Sequence, residues 1–442
     1  MTETFAPPSP VVVIGGGYSG SMLAARLAEL GQASILVERS GVFGLGVAYS
    51  ARLDDHRLNV RTERMGAVAG RIKDFAAWLA RHHPERADPN GFAPRRLFGL
   101  YVQDRLASVE QAHPGLIQRV TGEAVSLDGT TVTLSDGRTL EGRAVVLATG
   151  NPAPKMASGQ DSPRILPNPW APGAIEAIGA DDTVIVLGTG LTMVDVILAL
   201  QAQGWQGRAY GVSRRGQMPR AHGARHDAAV FLPDEAFSGP LSRRLKVART
   251  VARHQGWRAV MEAYRPITIE LWRAASEAER RRFIRHLRPW WDVHRHRIDP
   301  QVADQLEALM AAGRLIRQPG HVQAIRGTQD GVEMDLRPRG GQLLTLATDW
   351  LIDCTGPGHD ALSQPLTGAL IAAGEARLDS LRLGLDLDET GHVLDAAGQA
   401  NPHLFVLGPP ARAALWETIA VPDIRNRIEV IAKVLTAQAP GA

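Results

Sequence analysis

The chain has 442 residues, 45 of them glycine, 28 proline and one cysteine, and its 49 Lys and Arg against 46 Asp and Glu leave a net charge of +3. That length suits two to three domains around a large core. One cysteine, Cys354, excludes an internal disulfide, a CxxC redox pair and a Cys-rich metal or iron–sulfur site. It suits a reducing, cytoplasmic setting, and so small a net charge gives no argument for nucleic acid.

The opening MTETFAPPSP is acidic and proline-rich, without the basic start of a signal peptide. A short buried strand is expected over residues 11–14, a helix over 21–30 and a second strand over 34–37. Between the first strand and the helix lies Gly15-x-Gly17-x-x-Gly20. These glycines serve a tight turn, close approach of backbone to a pyrophosphate, and close packing of helix on strand. The pyrophosphate rests on free N–H groups at the helix start. Glu38 ends the next strand, 18 residues after Gly20, where a carboxylate accepts bonds from ribose hydroxyls. Gly15, Gly17, Ser19, Gly20, Glu38 and Arg39 therefore form a first expected dinucleotide site.

Helices are expected over 72–81 and 95–112, followed by a polar meander (AVSLDG, TTVTLSDG, RTLEG) and an apolar strand over 144–148 that ends in Thr149-Gly150. Residues 151–173 hold six prolines and read as a linker. The pattern then restarts, with a strand over 183–187, a turn at Gly188–Gly190, a helix over 192–203 and a strand over 208–212. Met193 stands where a third glycine would be, so this is either a second dinucleotide turn or a tight turn of a parallel sheet. The next strand ends in Ser213-Arg214-Arg215, without an acid. Arginine there suits a 2′-phosphate, which favours NADPH, with NADH as the alternative, on Gly188, Gly190, Thr192, Arg214 and Arg215. The stretches 11–25 and 183–200 are nearly free of charge, but the first is glycine-rich and short of the ~20 residues of a span, and the second carries Asp195, so no membrane span is expected.

Charge is uneven. From Arg208 to Asp299, twenty Lys and Arg meet nine Asp and Glu, a net +11, so the remainder carries −8. This basic block reads as helix and holds four tryptophans. It is either a solvated helical insertion or a face that receives an anionic ligand. Residues 115–150 and 313–356 also share a layout of strand, meander, apolar strand and Thr-Gly. The expected fold class is α/β, with two Rossmann-like dinucleotide-binding domains and a helical insertion. Residues 1–165 form the first part of one domain, 166–348 the second domain with its insertion about 220–312, and 349–442 return to the first. Two such sites suggest a relay of electrons between cofactors.

The stretch GLGVAYSARLDDHRLNVRTERMGAVAGRIKDFAAWLA (44–80) resembles a bacterial FAD/NAD(P)-binding protein family, tandem-Rossmann flavoproteins related to FAD-dependent urate hydroxylase and an aspartate N-monooxygenase. Gly44, Gly46–Ser50, His56, Leu58–Val60, Phe75 and Trp78 carry the likeness. It continues through NPW (168–170), GTGLTMVD (188–195), SRRGQMPRAH (213–222), FIRHLRPWWDVHRHR (283–297) and FVLGPPARAALWETIAVPDIRNR (405–427). The resemblance implies FAD on the first unit, with Thr149, Gly150, Gly408 and Trp416 near it, and a nicotinamide cofactor on the second. It further implies an oxidoreductase, a monooxygenase using molecular oxygen on a small polar or anionic substrate, urate-like or amino-acid-like. An NADPH-dependent reductase passing electrons to a carrier, or a redox-sensing module that holds flavin, are the other readings. The chain lacks the double cysteine of disulfide reductases and an FxGxxxH stretch between its units.

Candidates for the chemistry are His222, Asn59 and Arg295, each with a structural alternative: an incidental loop histidine, a turn asparagine and a packed helix end. Glu417 begins an expected helical run to about 433, where an acid also steadies the helix dipole. Spacing of four places Trp290 with His294 and Trp291 with Arg295. His294 and His296 lack a third partner at a telling spacing, so no metal site is expected.

Overall fold

The structure is a computed structural model that describes residues 9–51, 53–152, 162–225, 227–356 and 361–437. The first unit runs Val11–Ile14 (β1), Tyr18–Glu29 (α1), Ser34–Glu38 (β2), Gly46–Tyr49 (α2), Asp74–His82 (α3), Arg95–Ala112 (α4) and Ile117–Thr121 (β3). A meander follows, Ala124–Asp128 (β4), Thr131–Leu134 (β5) and Thr139–Glu141 (β6), and then Ala144–Leu147 (β7). The second unit runs Ile165–Leu166 (β8), Val184–Leu187 (β9), Leu191–Ala202 (α5) and Ala209–Ser213 (β10). The helical insertion comes next: Leu241–Gln255 (α6), Trp257–Tyr264 (α7), Thr268–Ala274 (α8), Glu277–Arg282 (α9), a π-helical turn Phe283–Leu287, and Arg288–Arg295 (α10). Pro300–Ala311 (α11), Leu315–Pro319 (β11), the meander His321–Gly327 (β12), Val332–Arg337 (β13) and Leu344–Thr348 (β14), and Trp350–Asp353 (β15) complete the unit. Pro365–Ala372 (α12), His392–Leu394 (β16), Ala400–Val406 (β17) and Val421–Ala437 (α13) return to the first.

Among the described residues the two main sheets have the orders β16-β17-β7-β1-β2-β3 and β11-β10-β9-β15-β8, and the two meanders form separate three-stranded sheets. The registers repeat. Val11 of β1 lies between Ser34 and Ala144, as Val184 of β9 lies between Ala209 and Trp350, all in parallel. β1 and β7 are buried along their whole length, which is why they read as unbroken apolar runs: α1, α4 and α13 cover one face, and the meander with α12 covers the other. The echo between residues 115–150 and 313–356 is therefore one architecture built twice.

Three features differ from expectation. Val302, Leu306 and Leu309 of α11 pack with Val184, Ile197 and Trp205 in the second core, so α11 belongs with that core, as α4 belongs with the first. β8 pairs with β15 and both lie in the second sheet, on either side of the expected limits at 165 and 348. The last helix begins at Val421; Glu417 precedes it with φ +76°, a conformation that a non-glycine residue adopts only when neighbours impose it. Asp423 is the acid of the first turn instead. The middle of the proline-rich linker, 153–161, lies outside the described residues, as does His226.

The insertion is closed locally and anchored to the two units at several points along its length. Gly256, with φ +86°, breaks α6 from α7, and Ser276 with Glu279 makes a capping box at the start of α9. Trp272 stacks on Trp416 at 4.5 Å and donates from Nε1 to the Ala413 carbonyl at 2.8 Å. That contact ties α8 to the segment between β17 and α13. No helix among the described residues is long and apolar enough to cross a membrane.

Candidate cofactor and substrate site

The first glycine turn has little spare room. A Cβ on Gly15 would lie 2.3 Å from the Ala148 carbonyl oxygen, and one on Gly20 1.9 Å from the Gly15 oxygen. The helix α1 starts at Gly17 with no side-chain cap and no acid in its first turn, so its N–H groups stay open to an anion. Gly408, at φ +82°, closes the cradle from β17: a Cβ there would meet Ser19 Oγ at 2.8 Å. Glu38 Oε2 accepts from Gly16 N–H at 2.8 Å, while Oε1 accepts from the Ser40 N–H and hydroxyl at 3.0 and 2.9 Å. The carboxylate thus ties the glycine turn to the strand end. Arg39 is exposed beside it, 3.8 Å from Glu123, and Thr149 and Gly150 follow β7 across from Gly15.

The second turn repeats this geometry. A Cβ on Gly188 would lie 2.4 Å from the Cys354 oxygen, as Gly15 faces Ala148. Gly190 caps α5 with nothing within 4 Å of its would-be Cβ, and Thr192 lies in the first turn. Met193 is fully buried where Gly20 stands in the first unit. In place of the Gly16–Glu38 bond, Thr189 donates to Ser213 Oγ at 2.8 Å. The strand end is thus neutral, and Arg214 and Arg215 follow it on the surface, Arg215 donating to the His286 carbonyl at 3.2 Å. Cys354 is buried, and its thiol is pushed well up by burial and by Asp353 and Asp195, so it is unreactive.

The units are latched by the segment that follows Gly44–Ser50. His56 Nε2 lies 2.9 Å from the Asp195 carbonyl oxygen, and Arg95 reaches the Asp195 carboxylate at 2.7 Å. Arg57 pairs with Asp299 at 2.9 Å, and Arg61 donates to the Gly223 carbonyl at 2.6 Å. His222 Nε2 meets the Asn59 carbonyl at 3.0 Å, so that nitrogen carries the proton.

These links close a pocket lined by Asn59, Val60, Arg61, Arg64, His222, Arg225, Asp227, Glu262, Arg265, Arg295 and Arg297, with about 390 Å³ of atom-free space, part of it open to solvent. The candidates Asn59, His222 and Arg295 come together here from three separate stretches of chain. Arg295 is paired from behind, at 3.1 Å from Glu417 and 3.7 Å from Asp423, and Trp291 donates to Glu417 at 2.6 Å. Burial raises the Glu417 carboxyl, but Arg295, His296 and the Trp291 bond outweigh it and hold the group below the usual carboxylate range. Trp291 and Arg295 meet on one residue, as their spacing predicts, while Trp290 is half-exposed and its carbonyl lies 2.7 Å from His294 Nδ1. His294 sits against Trp257 and His296 beside Glu417, and no group of three metal-ligating side chains occurs among the described residues.

Sequence reading missed Arg61, Arg64, Glu262 and Arg265. Glu262 ion-pairs with Arg297, with Arg64 at 3.4 Å and with Arg265 at 4.0 Å. Burial pushes the Glu262 carboxyl up, yet Arg297, Arg265 and Arg64 keep it below the usual range. Arg265 is lowered to about 10 by burial and by Arg295 and Arg64. The only early signal was the charged RTER that follows the LNV motif.

Burial and Arg297 lower His222 to about 3, so at neutral pH it is an uncharged acceptor and a poor base. An unfolded histidine titrates near 6.5. The unfolded chain therefore binds the extra proton first, and this group's share of stability falls as pH drops from about 6.5 toward 3. Urea unfolding at pH 7 and pH 5 should show a smaller difference for His222→Gln than for the parent chain; an equal difference would remove His222 as a source.

FAD fits the first cradle. Trp416 Nε1 and Thr418 Oγ1 are buried without a hydrogen-bond partner in the segment that leads from Gly408 to α13. The ring faces of Trp416 are taken by Trp272 and by Arg412 at 4.7 Å, so its N–H is the part of the side chain left for a bound group to meet.

Comparison with known proteins agrees with this geometry. Residues 12–152 match the FAD-NAD(P)-binding family model. The chain is similar to the FAD-bound cadaverine monooxygenase of Erwinia amylovora, with TM-score 0.68 at 14% identity over 98% of this chain and 96% of that one. It is similar to the ornithine hydroxylase of Pseudomonas aeruginosa, with TM-score 0.64 at 16% identity over 97% and 99%. It is also similar to the ornithine N-hydroxylase of Kutzneria sp. 744, with TM-score 0.64 at 17% identity over 98% and 100%. Residues 12–152 thus match the FAD-NAD(P)-binding family model, and the chain as a whole shares its fold with these hydroxylases.

Proposed function

We propose that the protein is an FAD-dependent, NADPH-oxidising monooxygenase of a small polar or anionic substrate. The observation that supports this reading is the repeated glycine turn, once in each unit, beside a pocket lined by residues of the first unit, the second unit and the insertion together. The three hydroxylases of the same fold act, by name, on ornithine or cadaverine, and one of them is held with reduced FAD, NADP+ and ornithine together.

Gly15, Gly17, Ser19, Gly20, Glu38, Arg39, Thr149, Gly150, Gly408 and Trp416 would hold FAD; Gly188, Gly190, Thr192, Arg214 and Arg215 would hold NADPH. Bound FAD supplies the redox chemistry, by which two electrons from NADPH and one molecule of oxygen yield hydroxylated substrate and water. The chain's own contribution is position and exclusion. His222 keeps its proton on Nε2, bonded to Asn59, and offers only a neutral acceptor. Trp272, Phe283, Trp291 and Trp416 form an aromatic wall, with ring centroids 4.5 to 6.1 Å apart, behind Glu417. It shields that side from water.

Purified protein should take up FAD and bleach on anaerobic addition of NADPH; a protein that cannot bind FAD overturns the reading. The Arg214→Ala and Arg215→Ala variants should each weaken NADPH by about tenfold while leaving NADH little changed, because a charge-assisted contact contributes roughly 1.5–3 kcal/mol. Steady-state kinetics with both cofactors decides this, and unchanged NADPH affinity would assign the second site to NADH.

A further inference from the structure

We infer that Glu417 is a positioning residue of the flavin site: gripped by the helical insertion, it directs the Trp416 N–H and the Thr418 hydroxyl to bound FAD. The insertion of the second unit thereby completes the flavin end of the first unit's cradle. This rests on the assignment of FAD to that cradle.

Among the described residues only Glu417 and Arg382 combine a side chain with a positive φ, at +76° and +55°. Arg382 lies in an exposed turn that Asp379 closes, so its conformation has a local cause. The Glu417 side chain is 5% exposed and is held from another part of the chain. Trp291 Nε1 donates to its Oε1 at 2.6 Å, Arg295 Nε lies 3.1 Å from Oε2, and His296 Nε2 lies 3.7 Å from Oε1. All three belong to α10 or to the residue that caps it. A strained backbone persists only where its surroundings impose it, and here they are the insertion.

The residues on either side have a matching feature. Trp416 and Thr418 are 2% and 0% exposed, and Trp416 Nε1 and Thr418 Oγ1 have no hydrogen-bond partner. Two polar groups this deep are costly until a bound group pairs with them. Trp416 is also fixed by the insertion, through its stack on Trp272. The segment that holds them starts at Gly408, which closes the cradle against Ser19. A flavin ring carries carbonyl oxygens and ring nitrogens that accept such bonds. Returning Glu417 to negative φ would redirect the chain on one side of it and part the two donors.

The test is titration of the flavin-stripped protein with FAD, read by flavin fluorescence and by the visible absorption of the bound flavin, beside thermal unfolding of each variant without flavin. Thr418→Val removes a hydroxyl that has no partner within the chain. Its unfolding temperature should hold or rise, while FAD affinity falls roughly three- to tenfold and the flavin band shifts. Trp291→Phe acts from the insertion alone, and should shift the band with a loss of roughly threefold or more. Glu417→Ala should lose about tenfold or more, and Glu417→Gly should recover part of that, because glycine adopts positive φ freely. Parent affinity and an unshifted band in Thr418→Val overturn the inference. So does a Trp291→Phe or Glu417→Ala protein that melts earlier yet binds FAD as the parent does, which would make the grip structural only. Equal affinities of the alanine and glycine variants overturn it too, since the backbone conformation would then not matter. A parent chain that takes up no FAD overturns the monooxygenase reading itself, and this inference with it.

Discussion

Gly20→Ala should weaken FAD binding by roughly a hundredfold in a destabilised protein, whereas Gly190→Ala should weaken NADPH in a protein that folds normally. The two glycines occupy the two expected dinucleotide turns, but their surroundings differ. A methyl group on Gly20 meets the Gly15 carbonyl oxygen at 1.9 Å, and neither backbone can withdraw without opening the turn between β1 and α1. Overpacking of this kind costs about 3 kcal/mol or more at a rigid contact. FAD affinity should fall by roughly a hundredfold, the equivalent of about 2.7 kcal/mol, with the unfolding temperature falling as well. Gly190 has φ −87° and ψ −161°, an extended conformation open to alanine, and nothing within 4 Å of the added carbon. Its stability should change by no more than about 0.5 kcal/mol. The added methyl group would instead stand where a pyrophosphate approaches the backbone, and NADPH affinity should fall by roughly tenfold or more. Flavin content, unfolding temperature and NADPH titration separate the two variants. Equal loss of stability in both would contradict the difference in packing.

Glu262→Ala should be the most destabilising single change in the pocket, by about 3–5 kcal/mol in chemical denaturation. It would remove the carboxylate that Arg297, Arg64 and Arg265 share and leave their charges buried together. A loss below about 1 kcal/mol would show that the guanidiniums are better solvated than their burial implies. The pH dependence has the same origin. Glu262 and Glu417 are held below the usual carboxylate range in the folded chain. Their stabilisation is complete above the unfolded carboxylate values and is lost as pH falls through the folded ones. The Glu262→Ala variant should therefore lose less stability on acidification than the parent chain.

The sequence made the scaffold readable and left much of the pocket hidden, for physical reasons. β1 and β9 are short apolar runs followed by glycine, a local pattern that a parallel sheet covered on both faces produces. The repeated meander could be seen because its strands are consecutive. Asn59, His222 and Arg295 were picked out singly, but nothing local places them on one wall. Arg64 and Glu262 lie 198 residues apart, and a charge pair across that separation leaves no periodic trace. The latch from His56 to Asp195 is hidden in the same way, since one partner is a backbone carbonyl of the second unit. The left-handed backbone of Glu417 was unreadable because contacts from the insertion, Trp291 and Arg295, surround it, and no feature of its own segment signals it. The π-helical turn at Phe283–Leu287 likewise lies inside an unbroken helical pattern.

The central claim is that electrons from NADPH are used at this site to place one oxygen atom on a small substrate. The most direct test is the product mass when the FAD-loaded protein consumes NADPH under 18O2 in the presence of a substrate that accelerates the consumption. The account predicts a product heavier by one 18O atom, with one NADPH oxidised for each product formed. NADPH oxidation that leaves the substrate mass unchanged and passes its electrons to an added carrier would contradict it.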